Sequence, residues 1–196
     1  MRDHLDRFYT PPEVARKCID TLFEEYPNVA DLFNIQKCNV LEPSIGSGNW
    51  IRELEKKVTG SFTPEIHGCD ADKSMIQALQ NEKPDWNLEY NAYELTPTKE
   101  YGHYSLIIGN TPYSHVNTHV PKALDEGLHV AFLLQVSFLA SQSRYGWWQK
   151  NKPKHVWILS KRPSFSTDRK TAAQDYALFY WDRTGLTTNT SLGWIK

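Results

Sequence analysis

The sequence lacks any apolar run of the roughly 20 residues that a membrane-spanning helix needs. Its start, Met1-Arg2-Asp3-His4, is not followed by the apolar core of a secretion signal, so a cytoplasmic protein is expected. Cysteine is scarce. Cys18, Cys38 and Cys69 show no metal-ligand spacing, and an odd, sparse count suits reduced thiols. Cys38 and Cys69 fall in or beside apolar stretches, where buried and inert is the expected state. There is no repeat, no low-complexity segment and no linker, which leaves 196 residues as one domain with one substantial core. An overall charge is missing too, but the net −1 conceals a division. Residues 1–100 balance at −7 and residues 101–196 at +6. Between Ser141 and Lys170 stand eight basic residues and one acid, Asp168. Such a stretch is either a solvated basic face or a surface for a polyanion, and charge alone does not decide between them.

What is present alternates between strands and helices. Thr10-Pro11-Pro12-Glu13 reads as a helix start, with Thr10 as the cap, Pro11 at the first helical position and Glu13 closing a capping box. Phe8 and Tyr9 then lie in an extended segment ahead of it. Asn39 to Glu42 reads as a strand that ends in a carboxylate and enters a glycine-rich turn, Pro43-Ser44-Ile45-Gly46-Ser47-Gly48, before a helix. A dinucleotide turn would have a third glycine where Ile51 stands, and Glu42 would repel a phosphate. Glu42 suits a cationic ligand instead. Glu65 to Asp70 reads as the next strand. Its terminal acid stands 22 residues past Gly48, about where Rossmann-like sites hold a ribose hydroxyl pair. Asp72 is placed to cap the following helix. Trp86 to Asn91 makes a third strand, and Tyr104 to Gly109 a fourth, ending in Asn110-Thr111-Pro112-Tyr113. A polar loop to Pro121 and a short helix follow. Strands at His129–Leu134, His155–Ser160 and Tyr176–Trp181 complete the pattern, with a helix to about Trp148 between the first two. His67, His129 and His155 fall in strands and read as core residues. The fold class is α/β: a mostly parallel, doubly wound seven-stranded sheet with antiparallel final strands and helices on both faces.

Taken together, five stretches resemble the S-adenosylmethionine-dependent amino-group DNA methyltransferases, in particular short bacterial and phage adenine-N6 enzymes. They are Phe8-Tyr9-Thr10-Pro11-Pro12, Glu42-Pro43-Ser44-Ile45-Gly46-Ser47-Gly48, Asp70, Asn110-Thr111-Pro112-Tyr113 and Arg162-Pro163-Ser164-Phe165. The resemblance implies a Rossmann-like class I methyltransferase in which residues 1–196 form a single catalytic domain, with no separate target-recognition domain. It implies S-adenosylmethionine as cofactor, held by Tyr9, Thr10, Pro11, Glu42, Ser44, Gly46, Gly48, Asp70 and Asn91. Asn110, Thr111, Pro112 and Tyr113 would be the catalytic motif. Phe165 would face a flipped base, with Arg162 and Lys161 on phosphates. The partner implied is adenine-containing DNA, and no metal is called for. Two positions depart from the family: Thr111 where it has proline, and Asn91 where it usually has aspartate. The same tetrapeptide type also serves RNA and protein-glutamine N-methyltransferases, and a catalytically impaired nucleic-acid-binding subunit would keep the fold.

Overall fold

The computed structural model describes residues 9–34, 37–58, 62–165 and 172–196. Phe8 and the 166–170 part of the basic stretch lie outside them. In chain order the elements are α1 (Pro12–Glu25), α2 (Pro27–Asp31), β1 (Asn39–Pro43), α3 (Asn49–Glu55), β2 (Glu65–Asp70), α4 (Lys73–Glu82) and β3 (Asn87–Tyr90). There follow β4 (Tyr104–Gly109), α5 (Val116–Glu126), β5 (Gly127–Gln135), α6 (Tyr145–Lys150), β6 (His155–Leu159), β7 (Tyr176–Asp182) and β8 (Ser191–Ile195).

The strands form one sheet in the order β3-β2-β1-β4-β5-β7-β6-β8. β7 alone is reversed, running antiparallel to both β5 and β6, while the other neighbours pair in parallel. Residues one apart on a strand face opposite sides of a sheet, so its continuous apolar strands feed two cores. Leu106, Ile108, Ala131 and Leu133 pack with Ile19, Leu22, Ile51, Leu54 and Leu79 on the face covered by α1, α3 and α4. Ile107, Val130, Phe132 and Leu134 pack with Val120, Ala123 and Leu124 of α5 on the other. Cys38 and Cys69 are buried as expected, Cys18 of α1 is buried too, and burial pushes the Cys69 thiol up to about 12. His129 is a core residue, hydrogen-bonded through Nδ1 to the Tyr180 hydroxyl at 2.9 Å.

Four expectations need correction. The sheet has eight strands rather than seven. Ser191–Ile195 carries a weak strand pattern interrupted by Gly193, and its strand exists because β6 offers a free edge to pair with. Thr10 does not cap α1: the helix begins at Pro12 with Pro11 as its N-cap and no side-chain cap bond. Instead the Thr10 carbonyl accepts from Asn49 Nδ2 at 2.9 Å, tying the N-terminal segment to the start of α3. The polar loop expected to run to Pro121 is already helix from Val116, with Pro121 inside it. Burial of Val120, Ala123 and Leu124 beneath the sheet outweighs the cost of roughly 3 kcal/mol for an internal proline. The helix expected to run on to Trp148 is broken into two 3-10 turns and the six-residue α6, with extended backbone at Ala140 and Ser141.

Candidate active site

β1 and β4 lie side by side, and their onward connections run to opposite halves of the sheet. At such a switch point the loops leaving two adjacent strands diverge and open a crevice at the strands' C-terminal edge. The loops concerned here are the turn after Glu42 and the tetrapeptide after Gly109. A cleft of about 340 Å³ opens there, within the range of roughly 300–1,000 Å³ usual for small-molecule sites. Tyr9, Ser44, Gly46 and Asp70 line one part of it, and Asn110 to Tyr113 line another.

The glycine-rich turn is shaped by β2 as much as by its own residues. Ile45 N donates to the Cys69 carbonyl at 2.9 Å. Gly46 N donates to Asp70 Oδ2 at 2.8 Å, and the other Asp70 oxygen accepts from Asp72 N at 2.8 Å. Asp70 therefore organises the turn, a duty its position at a strand end did not reveal. Asp72 caps α4 as expected, accepting from Ser74 N at 3.0 Å. Ser44, Gly46 and Gly48 all have left-handed backbone, with φ of 59°, 50° and 70°. Gly46 is also needed for space: a Cβ there would come within 2.7 Å of the Tyr9 ring. Gly48 has a different reason. The space beside it is filled by the Trp86 indole, 2.9 Å from where a Cβ would lie, so this glycine packs the turn rather than facing the cleft.

Glu42 is 2% exposed, and its Oε2 has no hydrogen-bond partner among the described residues. Burial holds its carboxyl well above the usual carboxylate range; the backbone N–H of Ile51 pulls the other way, Asp70 adds to the rise, and Arg52 opposes it more weakly. A buried carboxylate with an open oxygen is costly unless a cationic group arrives. Glu42, Thr10, Asn49 and Asn110 line a small cavity that shares Tyr9 and Ser44 with the cleft.

Asn91 stands apart. Its amide donates to Glu89 Oε1 at 3.2 Å, and the cleft wall on this side is made by Ala92 and Tyr93. Pro11 lines a second, larger cavity together with Lys161, Arg162 and Phe165, and Tyr9 is the wall it shares with the cleft. Phe165 is half-buried, edge-on to Tyr176 at 5.0 Å, and Tyr176 in turn lies 5.7 Å from Tyr113. Arg162 is engaged by Asp175 at 2.7 Å on the surface. Within the basic stretch that starts at Ser141, Trp147 and Trp148 pack on Phe138, and Arg144 donates to the carbonyls of Ser137, Phe138 and Ala140. Part of that basic stretch is therefore internal structure.

Thr111 is 1% exposed. Its hydroxyl bonds His119 Nδ1, and His119 Nε2 meets Glu94 Oε2 at 2.6 Å. The other Glu94 oxygen lies 3.1 Å from His115 Nδ1. Burial lowers the His119 pKa against the opposing pull of Glu94. None of Glu94, His115 and His119 was picked out from the sequence. The spacing of His115 and His119, one helical turn apart, was legible in principle; the arrival of Glu94 beside them was not.

No family model matches the sequence, and no curated protein matches it. Solved structures do resemble the fold. The methyltransferase subunit of a type I restriction-modification system from Streptococcus thermophilus superposes with a TM-score of 0.72 at 12% identity, over 96% of this chain and 47% of that one. A protein of Listeria monocytogenes assigned to the class I S-adenosylmethionine-dependent methyltransferases gives 0.67 at 9% identity, over 99% of this chain and 68% of that one. A Pyrococcus horikoshii protein described as an RNA methyltransferase gives 0.64 at 14% identity, over 90% of this chain and 87% of that one. The chain spans less than half of the restriction-modification subunit. With the reversed β7, the switch-point cleft and these likenesses in hand, the architecture is that of the class I S-adenosylmethionine-dependent methyltransferases.

Proposed function

We propose that this protein transfers a methyl group from S-adenosylmethionine to the N6 amine of adenine in DNA. The observation that carries the reading is the convergence in one cleft of Asp70 with the Gly46 turn and of Asn110-Thr111-Pro112-Tyr113, with the buried Glu42 just behind. The residues fit the cofactor. Glu42 supplies a buried carboxylate for its cationic end, Asp70 retains lone pairs for ribose hydroxyls, and Tyr9 closes over Gly46. When bound, S-adenosylmethionine supplies an electrophilic methyl group on a sulfonium. What the chain does is position the acceptor. An exocyclic adenine amine is a weak nucleophile because its lone pair is delocalised into the ring. Acceptors on its two hydrogens, the Asn110 side-chain oxygen and the carbonyl of Thr111, favour a pyramidal nitrogen with its lone pair free. Fixed dipoles of this kind contribute on the order of 3 kcal/mol each. The carbonyl belongs to the backbone, so threonine in place of proline leaves it in position. Tyr113 provides a face for a base turned out of the duplex, and the aromatic contacts through Tyr176 to Phe165 extend that wall toward the basic loop.

An acceptor in RNA is the second reading, favoured by the description of the Pyrococcus horikoshii protein as an RNA methyltransferase. Incubation with labelled S-adenosylmethionine and separate DNA, RNA and protein pools, followed by nucleoside and amino-acid analysis, distinguishes the acceptors. N6-methyladenine in the DNA pool is the expected product. Label confined to RNA, or appearing as methylglutamine, overturns the DNA assignment.

Glu42 gives a second test. An acid whose pKa is raised in the folded state contributes stability below the ordinary carboxylate range and loses it as pH rises through the folded value. Glu42→Gln should therefore melt higher than the parent, by an amount that grows as pH rises above the ordinary carboxylate range. A gain of ~1 kcal/mol corresponds to about 2–4 °C in a chain of this size. The same variant should gain less in melting temperature than the parent on adding S-adenosylmethionine. Equal stabilisation by the cofactor in both proteins would remove Glu42 from the site.

A further inference from the structure

We propose that Glu94, His115 and His119 form a binding site for one divalent transition metal ion of the zinc type, at the wall of the cleft beside the catalytic tetrapeptide. One ligand atom from each residue lies within 4.8 Å of the others. The closest approaches are 2.6 Å from His119 Nε2 and 3.1 Å from His115 Nδ1 to the two oxygens of Glu94. Ligand atoms on a tetrahedral zinc with bonds of about 2.0–2.1 Å stand about 3.3 Å apart, so small side-chain rotations suffice to admit the ion. Two imidazoles and one carboxylate suit zinc and its first-row neighbours rather than magnesium or calcium, which take oxygen ligands.

The surroundings are built for this. For Nε2 of His119 to ligate, the proton must sit on Nδ1, and there Nδ1–H can donate to the Thr111 hydroxyl, which already bonds that atom. Ligating histidines are held in this way by a partner on their other nitrogen. The turn carrying Glu94 is fixed on the other side. The Tyr93 hydroxyl donates to the buried Glu126 at 2.6 Å, and Lys99 N donates to the same carboxylate at 2.9 Å. Two elements distant in sequence, the turn after β3 and the start of α5, are thus brought together with their ligands facing one point. Charge favours a cation as well: among the described residues the cleft lining holds Asp70, Asp72 and Glu94 and no lysine or arginine. His115 is 46% exposed, which leaves a side open for water to complete the coordination. The ion would lock the cleft wall to the helix that follows the tetrapeptide. This inference does not depend on which molecule accepts the methyl group.

The test is calorimetric titration of the chelator-treated full chain with Zn²⁺, with Co²⁺ as the spectroscopic probe. One equivalent should bind more tightly than about 10 µM, without competition from millimolar Mg²⁺, and Co²⁺ should give the visible absorption of a four-coordinate ion. His115→Ala removes an exposed side chain and should keep the fold while weakening binding at least about tenfold; Glu94→Gln should do the same. Thr111→Val, which removes only the partner of Nδ1, should cost about 10–100-fold in affinity. Affinity weaker than about 10 µM in the parent overturns the site. Binding that His115→Ala and Glu94→Gln both leave unchanged overturns it too, because the ion then sits elsewhere.

Discussion

Asn110→Ala is expected to abolish methyl transfer while S-adenosylmethionine binds nearly as well as before. Asn110 follows β4 directly, where a packed strand fixes its backbone between β1 and β5, and it lines both the main cleft and the cavity around Glu42. In the proposed mechanism its amide oxygen is one of two acceptors that localise the lone pair of the adenine amine. Loss of one preorganised hydrogen-bonding group in an active site lowers turnover by about 10²–10³-fold. The rate should fall by at least that much, because an adenine with one amine hydrogen unheld can rotate away from the line of transfer. Cofactor contacts rest on other residues, so the dissociation constant measured by calorimetry should change by less than about threefold, or ~0.6 kcal/mol. A variant that loses both turnover and cofactor binding would place Asn110 on the cofactor. A variant with undiminished turnover would remove it from the mechanism.

Asp70→Ala is expected to damage two properties at once. Its two carboxylate oxygens accept from Gly46 N and Asp72 N, both at 2.8 Å. Hydrogen bonds to a charged acceptor contribute about 1.5–3 kcal/mol each when formed away from water, and less in a half-exposed site such as this. Removing the carboxylate leaves both N–H groups without it and loosens a turn that already holds three residues in left-handed backbone. The melting temperature should fall by several degrees, at about 2–4 °C for each kcal/mol lost. Affinity for S-adenosylmethionine should fall by about 1.5–3 kcal/mol, roughly 10–150-fold, if the same carboxylate also meets the ribose. Thermal melts and calorimetry on one preparation separate the two effects. A lower melting temperature with unchanged affinity would make Asp70 a structural residue of the turn and nothing more.

The alternation of apolar strands with helices was readable from the sequence because each pattern is local. Leu106 to Ile108 and Val130 to Leu134 are continuous apolar runs, as buried parallel strands require. The acid at the end of β1, the glycines after it and the tetrapeptide after β4 were legible for the same reason: each is a contiguous string at a strand end. Local signals also misled. Thr10 and Glu13 spell a capping box, yet Thr10 is drawn away by Asn49, a residue 39 positions later. Pro121 spells a loop, yet the sheet needs the apolar face of α5.

What the tertiary structure alone decided is which distant residues share one space. Nothing near Gly48 announces that Trp86 fills the volume beside it, and nothing near Gly46 announces Tyr9. Glu94 lies 25 residues from His119 in sequence and 2.6 Å from it in space. Such contacts leave no periodicity behind, because they depend on how elements cross rather than on the spacing within any one of them. The sequence determined that this chain would build a parallel sheet with chemistry at its strand ends. Packing determined that Thr111, where the resembling family has proline, would turn its hydroxyl to a buried histidine, with Glu94 and His115 beside it at the wall of the cleft.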